Sequence, residues 1–314
     1  MTSGILSQIF QSTLAVLAAP LLIGWGNMCH AWMQNRSAPS LFQPYWTLHK
    51  LFHKDAVITR DTSWIFRFNP YIQFSCMWLA VGIVPVLATD LPLAPAADVV
   101  ALVGVFAMAR VFAALAAMDT GTAFGGLGAR REMFIGALAE PAMLIVFFNL
   151  SLIAQSTSLN TIVETLAHGN FMIRPSLAFA GVAFFMVALA ENARVPVDNP
   201  TTHLELTMIH EAMILEYSAR HLALIEWAVA VKLVAYSALG IALFVPWGIA
   251  EAGDWRGLPL ALSALFLKLM AVGASLALLE TLSAKMRIFR APEFVATAFL
   301  LAMLGVLLNL VLQS

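Results

Sequence analysis

The most polar stretch of the chain reads Glu191-Asn-Ala-Arg-Val-Pro-Val-Asp-Asn-Pro-Thr-Thr-His-Leu-Glu-Leu-Thr-Met-Ile-His-Glu-Ala-Met-Ile-Leu-Glu-Tyr-Ser218. Six charged side chains lie in it: Glu191, Arg194, Asp198, Glu205, Glu211 and Glu216. His203 and His210 add two more groups that can carry charge. Long runs with almost no charge flank this stretch on both sides. We therefore expect a charged loop, residues 191–218, between two apolar segments.

Composition places these apolar segments in a membrane. Hydrophobic residues make up 61% of the 314 residues, charged residues only 11%, and the mean hydropathy is +0.85. Soluble domains average about 25% charged residues. A formal net charge of −1 also argues against nucleic acid as a partner. The sequence therefore predicts a polytopic protein embedded in a lipid bilayer.

Eight apolar segments approach or reach the length that crosses a bilayer, about 17–25 helical residues. They are residues 5–26, 70–89, 97–117, 133–154, 175–191, 222–246, 258–282 and 293–313. The runs are continuous rather than alternating, which predicts helices and excludes a β-barrel. No Lys or Arg precedes the first run, so we expect a retained helix and not a cleaved signal peptide. The prediction is an all-α fold forming a single membrane domain over residues 1–314.

The distribution of basic residues predicts the orientation, because cytoplasmic links are enriched in Lys and Arg. The odd-numbered links carry twelve of them: Arg36, Lys50, Lys54, Arg60, Arg67, Arg130, Arg131, Arg194, Arg220, Lys285, Arg287 and Arg290. The even-numbered links and the termini carry only Arg174 and Arg256. We therefore expect a multi-pass protein of the bacterial inner membrane with both termini outside.

The links themselves contain further patterns. Aromatic and aliphatic residues alternate with His and Lys over residues 39–54, which predicts an amphipathic helix in the cytoplasmic interface. A plain connecting loop is the alternative. Residues 156–174 are predicted to form a polar outer loop. Gly125, Gly126 and Gly128 are predicted to lie in a loop, and no strand precedes them as a dinucleotide-binding motif requires.

Ionisable residues within the predicted spans are costly and therefore suggest function. The set is Arg110, Glu140, Glu226, Lys232, Lys268 and Glu280. At about 1.5 Å per residue, Arg110, Glu140 and Lys232 fall at similar depths below the cytoplasmic surface. Acids and bases at stepped depths on neighbouring helices are what proton transfer requires. We interpret the set as a candidate proton path.

Structural explanations remain open for several of these groups. Arg110 and Glu140 could form an ion pair that only holds two helices together. Glu226 and Glu280 could reach the interface by extending along the helix surface. Lys232 and Lys268 lie too deep for that, and they favour the proton-path interpretation.

The charged loop also has predicted local structure. Pro196 and Pro200 end the fifth spanning helix, and residues 201–217 could form a short helix with Glu205 and Glu216 on one face. His210-Glu211 lacks the second His of a zinc motif. The chain has only two cysteines, too few for the four ligands of an iron–sulfur cluster or a structural zinc. We predict no cofactor or metal bound by this chain.

The loop motif resembles a known family. Its pattern E-x-x-R-x-P-x-D-x-P…E-L…E-Y-S is similar to that of the subunit-1 family of respiratory complex I, and most similar to the membrane subunits of energy-converting [NiFe]-hydrogenases such as formate hydrogenlyase and hydrogenase-4. Four further segments agree: Asp119-Thr-Gly121, Gly128-Ala-Arg-Arg-Glu132, Glu140-Pro141 and Phe244-Val-Pro-Trp-Gly248. The resemblance extends over essentially the whole chain.

The resemblance implies a non-catalytic membrane anchor for a soluble redox arm. Its partners would be the hydrogenase large and small subunits, iron–sulfur proteins and an antiporter-like membrane subunit, with the Fe–S clusters and the Ni–Fe centre held by those partners. Glu191, Arg194, Asp198, Glu205 and Glu216 would be the loop charges of the family, and Glu140 its buried carboxylate.

The chain departs from the quinone-reducing pattern in the second half of the loop. Three additional residues separate Glu205 from Glu216, and the Gly-Tyr-His-Thr expected before Glu-Tyr-Ser is replaced by His-Glu-Ala-Met-Ile-Leu. These differences favour a formate hydrogenlyase-like, proton-translocating subunit. A quinone-chamber subunit of an NADH–quinone oxidoreductase and a passive membrane anchor are the alternatives. A free-standing transporter is a third, and the absence of inverted repeats in the sequence counts against it.

Overall fold

The structure is a computed structural model that describes residues 2–59, 62–85, 97–168, 175–198, 208–248, 258–284, 286 and 290–313. Over these ranges the regular structure is helical. The helices are α1 Thr2–Met33, α2 Gln43–Phe52, α3 Trp64–Ile83, α4 Val99–Asp119, α5 Ala123–Ala154, α6 Leu159–His168, α7 Pro175–Glu191, α8 His210–Ile214, α9 Ala219–Phe244, α10 Leu258–Leu282 and α11 Ala291–Gln313.

Six helical segments are long and apolar enough to cross a membrane. They are Gln8–Met33, Val99–Asp119, Ala123–Ala154, Ala219–Phe244, Pro259–Leu282 and Ala291–Leu312. The two remaining predicted spans correspond to α3, whose apolar surface is interrupted by Arg67, Asn69 and Gln73, and to α7, a shorter apolar helix. The prediction of an all-α, polytopic integral membrane protein is confirmed.

Helix α9 lies at the centre of the bundle. Two-thirds of its most apolar stretch is buried, and α1, α2, α3, α6, α7 and α10 all contact it. Helices α5, α7 and α11 pack closely together, and α4 packs between α3 and α5. Helix α10 contacts mainly α1, and only about a tenth of its apolar stretch is buried. The described part of the fold therefore has a closely packed centre and a peripheral helix, α10, most of whose apolar surface this chain leaves uncovered.

The loop predicted around Gly125, Gly126 and Gly128 is wrong, because α5 begins at Ala123 and includes all three glycines. The Thr122 side chain accepts a hydrogen bond from the Gly125 amide at 3.3 Å and so caps the helix. Glycine is needed at residue 125 because a Cβ there would meet the Ala117 carbonyl oxygen at 2.5 Å. Close approach between helices, and not turn formation, explains this glycine.

The polar outer loop predicted over residues 156–174 is also partly wrong. Residues 159–168 form α6, and Leu159, Ile162 and Val163 are fully buried in the main core. Their spacing of three and four residues is that of one helix face. The surrounding Ser, Thr and Asn residues obscured this short apolar stripe in the sequence.

The amphipathic helix predicted over residues 39–54 is present as α2, Gln43–Phe52, and its position in the membrane interface stays a prediction. Leu48 is buried against the bundle, whereas Phe42, Trp46 and Phe52 are exposed, as expected for aromatic anchors in a membrane interface. The Tyr45 hydroxyl donates to the Leu17 carbonyl and fastens α2 to α1. Desolvation raises the pKa of Tyr45, so its hydroxyl remains a hydrogen-bond donor at neutral pH.

Candidate functional site: a buried ion cluster beneath the charged loop

The site begins where α7 ends, at Glu191. The Ala193 amide donates to the Ala190 carbonyl at 3.2 Å, and the Arg194 amide donates to the Leu189 carbonyl at 3.0 Å. These two bonds form a Schellman motif, with Ala193 in the left-handed conformation at φ 49°. The motif ends the helix within the protein and directs the Glu191 side chain inward.

The Glu191 carboxylate lies between two cations. One oxygen accepts a hydrogen bond from Arg110, and the other accepts one from Lys232 at 3.1 Å. Lys232 also donates to the Glu191 backbone carbonyl at 2.6 Å, where the dipole of α7 favours a positive charge. Only 3% of the Glu191 side chain is exposed. This carboxylate therefore connects α4, α7 and α9.

Arg110 crosses α5 at a glycine. Glu132, Gly136 and Glu140 follow one another at four-residue intervals, so they form a single stripe along that helix. The guanidinium lies over Gly136, donates to Glu140 on one side, and places its Nε 3.5 Å from the Glu132 carboxylate on the other. A Cβ at residue 136 would overlap the guanidinium and lie 2.7 Å from Cδ of Arg110.

The cluster contains more acids than bases. Arg110 and Lys232 face the three carboxylates of Glu132, Glu140 and Glu191. With all five groups ionised, one negative charge is not neutralised within the cluster. The Glu140 side chain is 34% exposed, compared with 3% for Glu191. Glu140 is therefore the most exposed of the three carboxylates, since the Glu132 side chain is 17% exposed.

A small cavity with both polar and apolar residues in its wall adjoins these side chains. Its volume is about 60 Å³, enough for a few water molecules. Its polar lining comes from Gln73, Arg110, Glu132, Glu191, Asn192, His210 and Lys232. His210 is the first residue of α8, so the cavity lies between the ion cluster and the charged loop.

The described part of the loop is fixed over this cavity by polar contacts. The Asp198 carboxylate accepts hydrogen bonds from the amides of Ile209 and His210, each at 3.3 Å. Arg131 donates to the Met208 carbonyl at 3.0 Å. Of the helix predicted over residues 201–217, residues 201–207 lie outside the described part of the chain. Within residues 208–217 the helical part is α8, which ends at Ile214 and is followed by a turn at residues 215–216.

Helix α8 lies directly on a glycine of α5. A Cβ on Gly128 would come within 2.9 Å of the Ile209 carbonyl oxygen and 3.0 Å of the Ala212 Cβ. The contact requires glycine, because any larger side chain would push α8 away from the bundle. The second half of the loop is therefore packed on the same helix that carries Glu132 and Glu140.

A hydrogen-bonded chain joins the end of the loop to the cavity. The Tyr217 hydroxyl donates to the Phe66 carbonyl at 3.0 Å and accepts from Asn69 at 2.9 Å, and Gln73 donates to Asn69 at 3.0 Å. Gln73 lines the cavity. The Tyr217 ring also stacks on Phe66 with centroids 4.0 Å apart. Desolvation raises the pKa of Tyr217 well above its usual range, so this hydroxyl stays protonated.

Two of the candidate charges pair away from the cluster. Arg194 and Glu280 form an ion pair at 3.0 Å, and the Met286 amide donates to the Pro196 carbonyl at 3.0 Å. These contacts tie the start of the loop to α10 and to the chain that follows it.

The other candidates are not part of the cluster. Lys268 donates to the carbonyls of Val245, at 2.6 Å, and Trp247, and so binds the C-terminal end of α9. Glu226 is exposed on α9, Glu216 is exposed, and Glu211 is partly exposed on α8. Glu205 lies outside the described residues.

The structure thus brings Arg110, Glu140, Glu191 and Lys232 together, and it adds Glu132, Gln73 and His210. Glu132 lies one residue before the predicted fourth span, 133–154, and is therefore absent from the predicted set of ionisable residues within spans. Its spacing of eight residues from Glu140, with Gly136 halfway between them, is the sequence pattern that indicates a shared helix face. Gln73 and His210 carry no comparable signal, because their roles depend on how α3 and α8 pack.

Metal binding has no support in the described part of the chain. No group of three or more His, Cys, Asp or Glu side chains there could hold a metal ion. Cys29 and Cys76 are both buried as free thiols.

A family model described as NADH dehydrogenase matches residues 6–311. The chain belongs to this family, that of respiratory complex I subunit 1. Relatives within it include formate hydrogenlyase subunit 4 of Escherichia coli (strain K12), 29% identical over 301 residues, covering 96% of this chain and 97% of the relative. Hydrogenase-4 component C of the same organism is 34% identical over 242 residues, or 77% and 75% of the two chains.

Other members of the NADH dehydrogenase family are less similar. An NADH-quinone oxidoreductase subunit of Rubrobacter xylanophilus is 29% identical over 239 residues, covering 71% of this chain and 65% of that one. The fold matches a chain of the membrane-bound sulfane sulfur reductase (MBS), an archaeal respiratory membrane complex, with a TM-score of 0.81 and 18% sequence identity. The match covers 97% of this chain and 99% of that one. This protein is therefore a membrane subunit of a respiratory-type complex.

Proposed function

We propose that this chain is the membrane anchor and proton-translocating subunit of a group 4, formate hydrogenlyase-like [NiFe]-hydrogenase complex. The surplus carboxylate of the buried cluster carries the proposal. A group of three acids and two bases can hold one proton without leaving a net charge in the membrane, and it can release that proton when the local field changes. The small cavity beside the cluster, with Arg110, Glu132, Glu191 and Lys232 in its wall, offers room for the water that would carry this proton.

The arrangement of the loop supports coupling to a soluble arm. Arg131 and the close packing on Gly128 hold the loop against α5, and Tyr217 holds it against α3; both helices contribute to the wall of the cavity. A soluble partner docked on Glu211, Glu216 and the rest of the loop would lie next to the cavity that adjoins the ion cluster. A change of charge in that partner would therefore act on the cluster electrostatically. Movement of the loop would alter the packing of His210 at the cavity wall.

The proposed proton path starts at this cluster and continues through the remaining candidates, Glu226, Lys268 and Glu280. The proposed partners are the hydrogenase large and small subunits, iron–sulfur proteins and an antiporter-like membrane subunit, which together hold the Fe–S clusters and the Ni–Fe centre. The proposed location is the inner membrane, with the charged loop in the cytoplasm and both termini outside. The chain is proposed to form a single membrane domain.

The resemblance to two hydrogenase membrane components over most of this chain favours a hydrogenase complex. The similarity to a subunit of an NADH–quinone oxidoreductase favours the second candidate, a quinone-chamber subunit. Purification of the complex and identification of its subunits separates the two. A nickel-containing large subunit supports the first, whereas a flavin-containing NADH-oxidising subunit supports the second.

The test of the proton role is Glu140→Gln in sealed vesicles that contain the intact complex. We expect normal assembly and a several-fold loss of proton uptake per electron transferred, because an amide keeps the shape of the side chain but holds no exchangeable charge. Glu293→Gln, at an exposed carboxylate in the first turn of α11, is the control. Undiminished proton movement in an assembled Glu140→Gln complex would support the passive anchor instead.

A further inference from the structure

Four residues of α5 follow one another at intervals of about one helical turn. They are Gly128, Glu132, Gly136 and Glu140. Helix α8 packs on the first of them, and the Arg110 guanidinium crosses α5 at the third. Residues four apart lie on one face of a helix, so the two carboxylates lie on opposite sides of the guanidinium. Glu132 is on the side of the charged loop, and Glu140 is on the far side.

The two sides differ in their access to the cavity beside the cluster. Glu132 lines this cavity, whereas Glu140 does not. The cavity has a volume of about 60 Å³, enough for a few water molecules. Four other groups that can carry charge line it: Arg110, Glu191, His210 and Lys232. A proton in this water therefore meets the carboxylates of Glu132 and Glu191 before that of Glu140.

Of these two carboxylates, Glu191 is the one already engaged. One of its oxygens accepts a hydrogen bond from Arg110 and the other accepts one from Lys232. A proton can bind there only if one of these charge-assisted hydrogen bonds breaks. Glu132 accepts no hydrogen bond in the described part of the chain, and 3.5 Å separates its carboxylate from the Arg110 Nε. Its oxygens can accept a proton without the loss of a hydrogen bond.

We propose that Glu132 is the carboxylate through which protons enter the cluster from the cavity water, an inference that rests on the proposed proton role of this chain. In this step the carboxylate takes a proton from a hydronium ion in the cavity, a water molecule remains, and no electron moves. Transfer of the proton to the rest of the cluster restores the carboxylate. Because α8 packs on Gly128, one turn before Glu132, movement of α8 would change the access of water to this group.

The test measures proton uptake per electron transferred in sealed vesicles that contain the intact complex. Glu132→Gln keeps the shape of the side chain but cannot take up a proton, so we expect a several-fold loss in the assembled complex. Glu132→Asp keeps a carboxylate at the cavity and should restore part of the uptake. A role in side-chain shape alone predicts the reverse order, because Asp is shorter than Glu and Gln is not. That reverse order would overturn the proposal.

A second pair of variants tests the cavity water and leaves Glu132 unchanged. Ala113 lies in the cavity wall, so Ala113→Leu should displace water and lower proton uptake several-fold. Ala101→Leu adds the same groups at an exposed position of α4 outside the wall and should leave the uptake unchanged. Equal uptake in these two variants would contradict entry through the cavity. This pair decides the question if Glu132→Gln fails to assemble.

Comparison with Glu140→Gln separates this inference from the proposed function. If Glu140→Gln loses proton uptake and Glu132→Gln keeps it, the chain moves protons but they do not enter at Glu132. If both assembled variants keep the uptake of the parent, the proton role of the chain fails, and the entry at Glu132 fails with it. Loss in Glu132→Gln with partial recovery in Glu132→Asp supports the entry, whatever the result for Glu140→Gln.

Discussion

The guanidinium of Arg110 donates to the carboxylate of Glu191 across 81 residues of sequence, joining the middle of α4 to the last residue of α7. Both side chains are almost fully buried, with 5% and 3% of their surfaces exposed. Charges in such surroundings persist only when they are paired and hydrogen-bonded. The pair therefore fixes α4 against α7, and Lys232 adds α9 to the same contact.

Removing the charge at Glu191 should destabilise the membrane subunit strongly. In Glu191→Gln, Arg110 and Lys232 lose their shared counter-charge, a loss of about 3–5 kcal/mol for a buried pair. We expect a lower apparent Tm of the purified complex, measured by heat-induced dissociation of this chain. Glu216→Gln, at an exposed carboxylate, should leave the midpoint unchanged. Similar midpoints for the two variants would contradict the ion-pair network.

Adding a single methyl group at Gly136 should displace Arg110. The new Cβ would occupy the space of the guanidinium, so the bonds to Glu140 and Glu191 cannot both be kept. Gly126→Ala adds the same group to the same helix where nothing lies within 4 Å. A helical Gly→Ala change normally stabilises by about 0.5–1 kcal/mol. We therefore expect Gly136→Ala to lower the apparent Tm and Gly126→Ala to raise it. A higher Tm in both variants would contradict the close approach of Arg110 to Gly136.

Stability at high pH should depend on Tyr217. Its pKa is raised in the folded state, so the folded protein holds this proton more tightly than the unfolded chain does. The resulting stability is complete below pH about 10, the pKa of an unperturbed tyrosine, and declines as the pH rises above it. Tyr217→Phe should lower the Tm at pH 8 and flatten its decline above pH 10. Tyr71→Phe, at an exposed ring, should preserve the parent slope.

The cap on α8 offers a test of how the loop is held. Asp198→Ala removes the acceptor for the amides of Ile209 and His210, at a cost of about 0.5–2 kcal/mol for a helix cap. We expect faster hydrogen exchange over residues 208–214, with α5 unaffected. Asp55→Ala, at an exposed position, serves as the control. Unchanged exchange in Asp198→Ala would mean that packing on Gly128 alone fixes this segment.

The spans and the charged loop followed from composition, because a membrane permits few alternatives to apolar helices. The proximity of Arg110, Glu140 and Lys232 is also consistent with the prediction made by counting residues along helices, whereas their depth in the membrane stays a prediction. The central position of Glu191 did not follow from the sequence, since it depends on a Schellman turn formed with alanine in place of the usual glycine.

Other features depend on packing that no local pattern reveals. Gly125 and Gly128 resemble loop residues in the sequence, yet both lie in α5 where neighbouring backbone approaches closely. The spacing of Glu132, Gly136 and Glu140 is visible in the sequence, but it forms a helical stripe only because α5 begins at Ala123 and so includes Glu132. Lys268 resembles a buried proton carrier in the sequence, and the structure places its ammonium on carbonyls at the end of α9.

The short connection between α4 and α5 has a consequence for biogenesis. Only residues 120–122 separate these helices, so they can enter the bilayer together as a hairpin. That hairpin already contains Arg110 with the carboxylates of Glu132 and Glu140, long before Glu191 is synthesised. An isolated arginine at the centre of a spanning helix costs about 2.5–3.5 kcal/mol on insertion. By carrying its own counter-ions, the hairpin lowers this barrier during translation.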